Sequence, residues 1–469
     1  MKFKLWSTVC ISFIAFFFAG CQSYEPKPID IGSYRNALET RLIDIEPVEQ
    51  FVSRIANDSS APATFNISDG ISPAEGEVIA LFYNPELRIA RLEAGAALAE
   101  FETSGLWKDP VFGFDGAEIT SPSAPFEYSF MGNLTIPISG RLKVEKARAG
   151  AAYESQLRII VNAEWNTRAT LRKQWAAWAA ASQRVTLLQD VIVQLEYINS
   201  IADTLREVGE LNRVQHRLLQ VELSSKLVEL SEAELQEVQA KFELLGLIGL
   251  SPTAASMLLP TFPTFELPDV EDETARLIQA NTELAVRIAE YETAEQSLHV
   301  EIKKQFPDIT IGTGYGSQLH DNRFLVGLTI PLPILNANRE GIAIANANRE
   351  VARATAETTF SSLYRSLIAA TITLEFKQSQ RNHYEQTIVP MLEAQSHDIE
   401  RIADLGEVDT YILLDTIKRH LEAKLHLIEL QLAEFEATIN VIRILGPDSQ
   451  LNPSPVHQEI SIQNTSGGA

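Results

Sequence analysis

The chain has 469 residues, 45% hydrophobic and 22% charged, with 39 basic against 62 acidic side chains and a formal charge of −23. That length can build a large core or several domains. The acidic balance, with no Lys/Arg-rich run, excludes a nucleic-acid partner, because a phosphate backbone would be repelled and not neutralised.

Lys2 and Lys4 precede an apolar stretch from Leu5 to Gly20, the charged-then-apolar order of a secretory signal over 1–20. A membrane span takes ~20 apolar residues, so this stretch is short for one. It ends Phe18-Ala19-Gly20-Cys21 and turns polar at Gln22. This resembles a bacterial lipoprotein signal, in which Cys21 is acylated and becomes the first residue. An unmodified Cys21 that merely ends the apolar region would cost the anchor but not the export. Cleavage before Cys21 removes Cys10 and leaves one cysteine, so an intramolecular disulfide is impossible. Gln22, by resemblance to enterobacterial sorting, points to the outer membrane. Residues 21–73 read as an N-terminal lipidated tail.

Beyond the tail the chain repeats itself. Asn84-Pro85-Glu86-Leu87 recurs as Asn281-Thr282-Glu283-Leu284, Pro110 as Pro307, and Val208-Gly209-Glu210-Leu211 as Leu405-Gly406-Glu407-Val408, all at a spacing of 197. Thr135-Ile136-Pro137 returns as Thr329-Ile330-Pro331 with a small change of spacing. The chain is thus a duplicated unit, 74–260 and 265–448, joined by a Pro-rich segment from Pro260 to Pro268 and followed by a C-terminal tail, 449–469.

Each unit opens with a helical pattern, Leu87 to Phe101 and Leu284 to Val300. The period then falls to two. Phe112 and Phe114, then Tyr128, Phe130, Leu134, Ile136 and Ile138, alternate with small or polar residues in the first copy. In the second, Ile309, Ile311, Thr313 and Tyr315, then Phe324, Val326, Leu328, Ile330 and Leu332, do the same. Each unit therefore supplies a hairpin, 110–138 and 307–333, whose strands fit a transmembrane barrel wall, although a soluble sandwich also alternates.

Long helical hairpins follow, 141–250 and 339–446. From Arg141 to Ser251 there is no proline, and a helix from Arg141 to Val208 would reach about 100 Å. Leu211, Val214, Leu218, Val221, Leu235, Val238, Phe242 and Leu245 step by three and four, as do Leu421, Leu425, Ile428, Leu432, Phe435, Ile439 and Ile442, the pattern of coiled-coil seams. Gly209 and Gly406 fall where each hairpin reverses, and Pro390 should kink the second copy's outgoing helix. Four strands cannot close a barrel, so the chain should oligomerise; two copies would give eight strands with an interior filled by side chains, whereas three would give twelve and could leave a lumen.

Export signal, duplication, hairpins and the run from Phe306-Pro307-Asp308-Ile309 through Leu328-Thr329-Ile330-Pro331-Leu332-Pro333-Ile334 to Asn338-Arg339-Glu340 together resemble the TolC-like outer-membrane efflux proteins over 74–448. The resemblance implies a mainly α fold with a membrane β-barrel: a homotrimer whose twelve-stranded barrel continues as an α-helical coiled-coil tunnel. It implies a passive exit duct embedded in outer-membrane lipid that meets a periplasmic adaptor and an inner-membrane pump, and not an enzyme. It places Asp415 and Ile412 with Gly406 and Gly209 at a periplasmic gate, and Val208, Glu210, Leu405 and Glu407 at the adaptor-docking tip. Each of these charges also reads as a solvated helix face.

No cofactor or metal site is expected. Gly312, Gly314 and Gly316 lie inside a strand with no helix start behind them, so they do not form a phosphate loop. The eight histidines lack paired helical spacing, and no nucleophile elbow, metalloprotease helix or nucleotide loop appears. The rival reading is a periplasmic coiled-coil scaffold lipoprotein without a pore, which leaves the two apolar-faced hairpins unexplained.

Overall fold

The structure, a computed structural model, describes residues 24–41, 46–55, 65–118, 120, 126–263, 267–268, 270–318, 321–404 and 410–448. The chain divides into two compact units, 1–44 and 45–469. The first contains helix α1 (Ile31–Thr40), started by Asp30, whose carboxylate accepts the Ser33 amide.

The second unit holds everything else. Helix α2 (Glu46–Ile55) buries Val48 and Phe51, with the Phe51 ring 5.6 Å from that of Phe82. The Ile71 amide donates to the Met257 carbonyl, and the Ile71 carbonyl accepts from the Leu259 amide. The expected tail over 21–73 is therefore partly body: the apolar side chains of α2 find a surface on helix α3 (Pro73–Tyr83).

The duplication is visible element by element. Helices α3 and α4 (Pro85–Thr103), strands β1 (Val111–Ala117) and β2 (Glu127–Ile136), and helices α5 (Arg141–Glu207) and α6 (Arg213–Ile248) make the first copy. The second contains α7 (Glu273–Ala280), α8 (Thr282–Lys303), β3 (Ile309–Gln318), β4 (Asp321–Thr329), α9 (Arg339–His383), a π-helical turn at Tyr384–Ile388, α10 (Val389–Asp404) and α11 (Thr410–Leu445). One joint recurs at full detail. The Asn84 side chain caps α4 by accepting from the Glu86 and Leu87 amides and donates to the Leu247 carbonyl at 2.7 Å. Asn281 caps α8 and donates to the Ile444 carbonyl at 2.8 Å. Beside each joint a glycine ends the returning helix with positive φ, +84° at Gly249 and +82° at Gly446, and presses against the Tyr83 or Ala280 carbonyl, where a Cβ would collide. Only glycine combines that φ with that approach.

Helix α5 runs unbroken for 67 residues, about 100 Å at 1.5 Å per residue, and is the central element, packed by α4, α6, α8 and α11. Two buried ion pairs tie it to its neighbours: Arg91 of α4 with Glu164 at 2.9 Å, and Glu77 of α3 with Arg172 at 2.6 Å. In the second copy the equivalent line is interrupted where Pro390 predicts it. Proline has no N–H to return to the carbonyl one turn earlier, and the five residues of the π turn lie just ahead of it. Arg381 spans the irregularity, bonded to Glu385 within the turn and to Glu434 of α11, both at 2.7 Å; those two carboxylates hold its pKa above the usual guanidinium value.

The two predicted seams have different fates. On α11, Leu421, Phe435, Ile439 and Ile442 are buried within the chain. On α6, Val214, Leu218, Val221, Leu235, Val238 and Phe242 are exposed, and the face turned inward carries His216, Leu219, Glu222, Ala233, Leu244, Leu245 and Ile248. The first-copy seam is thus not an intrachain seam; of its residues only Leu245 is buried.

The sheet and the helical tip as candidate functional site

The four strands form one antiparallel sheet in the order β1-β2-β3-β4, with β1 and β4 as edges. Its register lines up one bulky face in rows. Phe114, Phe130, Tyr315 and Phe324 form a row of four aromatics across the whole sheet; the next row is Phe112, Gly132, Thr313 and Val326, and below it stand Leu134, Ile311 and Leu328. All six expected wall residues, Phe112, Phe130, Leu134, Ile311, Val326 and Leu328, lie exposed on this face. On the opposite face β3 presents only glycines at Gly312, Gly314 and Gly316, for a steric reason. A Cβ on Gly314 or Gly316 would stand 2.6 Å from the Phe130 or Tyr128 carbonyl, so the alternating glycines of β3 let neighbouring backbone approach closely. Strands β2 and β4 stop earlier than the alternation suggested, at Ile136 and Thr329, because Pro137, Pro331 and Pro333 cannot donate to a ladder.

The helices align with the same two edges. Toward the sheet the packing order is α4-α5-α8-α9, and toward the far end it is α6-α5-α11-α9. Edge helix α6 exposes an apolar residue at every seventh position, Val214, Val221, Val228, Leu235 and Phe242, from 78% exposed at Val214 to 47% at Phe242. Edge helix α9 exposes Ile344, Val351, Ile368, Ile372 and Phe376.

At the far end of α5 the chain reverses at Gly209, with φ +84°. The Glu210 and Leu211 amides donate to the Leu205 carbonyl, and Asn212 restarts the helix in a reciprocal cap with Gln215. Val208 and Glu210 stand exposed on this turn. The second tip residues, Leu405, Gly406 and Glu407, lie outside the described residues, as does Cys21. Ile412 is exposed. Asp415 is half-exposed and accepts from Arg419 at 2.8 Å, so its charge is partly met within the chain. Three polar anchors around the tip were not anticipated: Asn212, the His216–Asp203 contact at 2.7 Å, and the Lys418–Glu222 ion pair at 2.7 Å, which ties α11 to α6 and keeps the Lys418 ammonium charged to higher pH than usual. Asn212 carried a readable signal, a cap residue three positions before Gln215. The other two depend on which helices meet.

Among the described residues no group of three or more His, Cys, Asp or Glu side chains is placed to hold a metal ion, and no helix is long and apolar enough to cross a membrane. This says nothing of a β-barrel.

No family model matches the chain. Among curated proteins it is 23% identical over 322 residues to the cobalt-zinc-cadmium resistance protein CzcC of Cupriavidus metallidurans, a match covering 67% of this chain and 76% of that one. Among solved structures it is similar to a membrane protein from Pseudomonas aeruginosa, with a TM-score of 0.70 at 17% identity over 82% of this chain and 94% of the other. It is similar also to the CmeC outer membrane channel of Campylobacter jejuni, with a TM-score of 0.69 at 14% identity over 86% and 92%. Among the described residues a single sheet of four strands and two long helical hairpins, together with these likenesses, show that the chain has the TolC-like fold of such outer-membrane channels.

Proposed function

We propose that three copies of this chain close into a ring, a twelve-stranded barrel in the outer membrane continued by a helical tunnel, and that the ring is the passive exit duct of an efflux system. The observation that carries the reading is the agreement of the edges. Strands β1 and β4, and helices α6 and α9, leave complementary unfinished borders on opposite sides of the protomer. A border that meets its opposite on the next copy is a heterologous contact, which makes a ring when the rotation between copies closes. Four strands are too few for a barrel wall, whereas twelve enclose a lumen. An acylated Cys21 adds a second attachment to the membrane. The turn at Gly209, with Val208 and Glu210, and the second-copy residues Leu405, Gly406 and Glu407 supply the surface that receives a periplasmic adaptor carrying the inner-membrane pump. Asp415, repeated around the axis, forms an acidic ring beside an apolar constriction of Ile412. The chain performs no chemistry on its cargo. Mass measurement of the purified full-length protein in detergent tests the ring: three copies per particle are expected, and a stable monomer inserted in outer membranes contradicts it.

For the cargo, one feature favours small cations. A chain of charge −23 draws cations toward a narrow mouth, and the curated relative bears a cobalt-zinc-cadmium resistance name. Deleting the gene should sensitise the host to those ions; unchanged metal tolerance with new sensitivity to dyes or detergents would assign another cargo.

A further inference from the structure

We propose that an apolar clasp between neighbouring copies locks the barrel to the tunnel, with the connector Leu332–Leu335 of one copy seated against Leu106 and Trp107 of the next. The proposal rests on the ring reading and adds a specific contact to it. The two repeats differ at this point. Three residues separate Pro137 from Arg141 in the first copy, and seven separate Pro331 from Arg339 in the second, where the longer connector reads Leu-Pro-Ile-Leu-Asn-Ala-Asn. The apolar side chains of this longer connector find no cover on their own chain: Leu335 is 90% exposed, and Leu332 and Ile334 exceed 70%.

A connector of that composition would normally collapse onto its own helices. Here it is held away from them. Ala337 and Asn338, with φ of +49° and +53°, are the two non-glycine residues with positive φ among those described, a backbone region disfavoured for a residue with a Cβ, less so for asparagine. The Asn338 amide anchors the turn by donating to both the backbone carbonyl and the carboxylate of Glu301, each at 2.8 Å, and the Arg339 amide closes it on Asn336. Strain of this kind persists where the surroundings over-determine it, and it marks a segment whose position matters.

The counterpart sits on the other border. Gly105, with φ +73°, ends α4 so tightly against α5 that a Cβ there would lie 2.6 Å from the Leu142 carbonyl. Leu106 and Trp107 follow it and are exposed. The register puts both connectors at the helix-ward end of the sheet. Val111 shares a cross-strand row with Asn133, Gly312 and Gly327; four residues from that row toward the helices, one edge carries Trp107 and the other Pro331, the residue before Leu332. Closing β4 of one copy on β1 of the next brings an apolar finger and an indole to one border at the helix-ward end of the sheet, with the strand stagger of a closed barrel setting their offset. The same contact crosses from strand to helix, so it holds the two parts of the ring in register.

The test uses the full-length protein with Trp107→Cys and Leu335→Cys combined, treated in membranes with a short bis-maleimide, since a disulfide would demand Cα atoms within about 7 Å. Conversion of the monomer band to linked dimer and trimer is expected for the double variant, and none for either single variant. Fluorescence supplies an independent arm. After signal removal the remaining tryptophans are Trp107, Trp165, Trp175 and Trp178, and the last three are buried, so quenching by brominated phospholipid reads Trp107 alone. The clasp predicts little quenching in the wild-type ring and a clear gain in Leu335→Asn. Intact trimers that do not cross-link and whose Trp107 is already strongly quenched would assign both connectors to lipid and overturn the clasp while leaving the ring. Absence of trimers in the wild-type protein would overturn the ring itself.

Discussion

Leu328 offers the sharpest test of which sheet face meets lipid. It stands on the bulky face, four residues along β4 from the aromatic row at Phe324 and four from Leu332 beyond the strand end. At ~3.3 Å per residue each interval is about 13 Å along the strand, or roughly 10 Å of depth for strands tilted about 40°. Leu328 is therefore near the middle of a band about 20 Å high. An arginine near the midplane of a barrel's lipid face costs roughly 2–4 kcal/mol, a factor of about 30–900 in the folded fraction of each chain. Three copies multiply the effect. Thr329, the next residue, points to the other face, and its β3 partner Thr310 shares a hydroxyl contact with Thr135 at 3.1 Å. Leu328→Arg should abolish most heat-modifiable trimer when refolded into lipid vesicles across a urea series, whereas Thr329→Arg should shift the midpoint only mildly. Equal losses at the two positions would refute the assignment of faces.

Three further outcomes follow from particular contacts. Pro390→Ala restores an N–H and should let the π turn at Tyr384–Ile388 become regular helix, slowing hydrogen exchange across α10; unchanged exchange would mean that the turn has another cause. Burial, with the Lys424 charge adding to it, holds the His420 imidazole below its usual pKa. Its folded value therefore lies below its unfolded one, so the stability it contributes is present above about 6.5 and lost as pH falls below that. Thermal stability of the wild-type protein should decline over that window, and His420→Leu should flatten the decline; identical pH profiles would clear His420. Asp415→Asn should reduce cation preference and divalent block in planar bilayers without affecting assembly, but only in part, since Arg419 already offsets the carboxylate.

Much of this architecture is legible in the residues, and the failures have physical reasons. The proline-free run from Arg141 and the reversal expected at Gly209 put the helix end within one residue of the observed Glu207. The strand alternation placed Phe112, Phe130, Leu134, Ile311, Val326 and Leu328 on one face, as the register has them, yet overran at Ile138 and Leu332, since a hydrophobic period continues past a proline that a hydrogen-bond ladder cannot. The α6 seam shows a deeper limit. Heptad spacing at Val214, Val221, Val228, Leu235 and Phe242 says which face seeks burial but not whether the partner is in the same chain. Inside the protomer the buried face of α6 includes His216 and Glu222, polar residues that no apolar template selects. Asn84 and Asn281 were visible as landmarks of the duplication; their role as caps that reach across to Leu247 and Ile444 needed the folded chain, because the acceptors lie 163 residues away. Likewise, nothing local to Lys418 announces Glu222.

Single-channel recording of the purified full-length protein in planar lipid bilayers tests the central claim most directly. A ring of three such chains predicts discrete, uniform conductance steps with a preference for cations. Protein that inserts as trimers yet passes no current at any voltage or pH, including with the tip opened by Asp415→Ala and Ile412→Ala, would contradict the duct and return the chain to a scaffold.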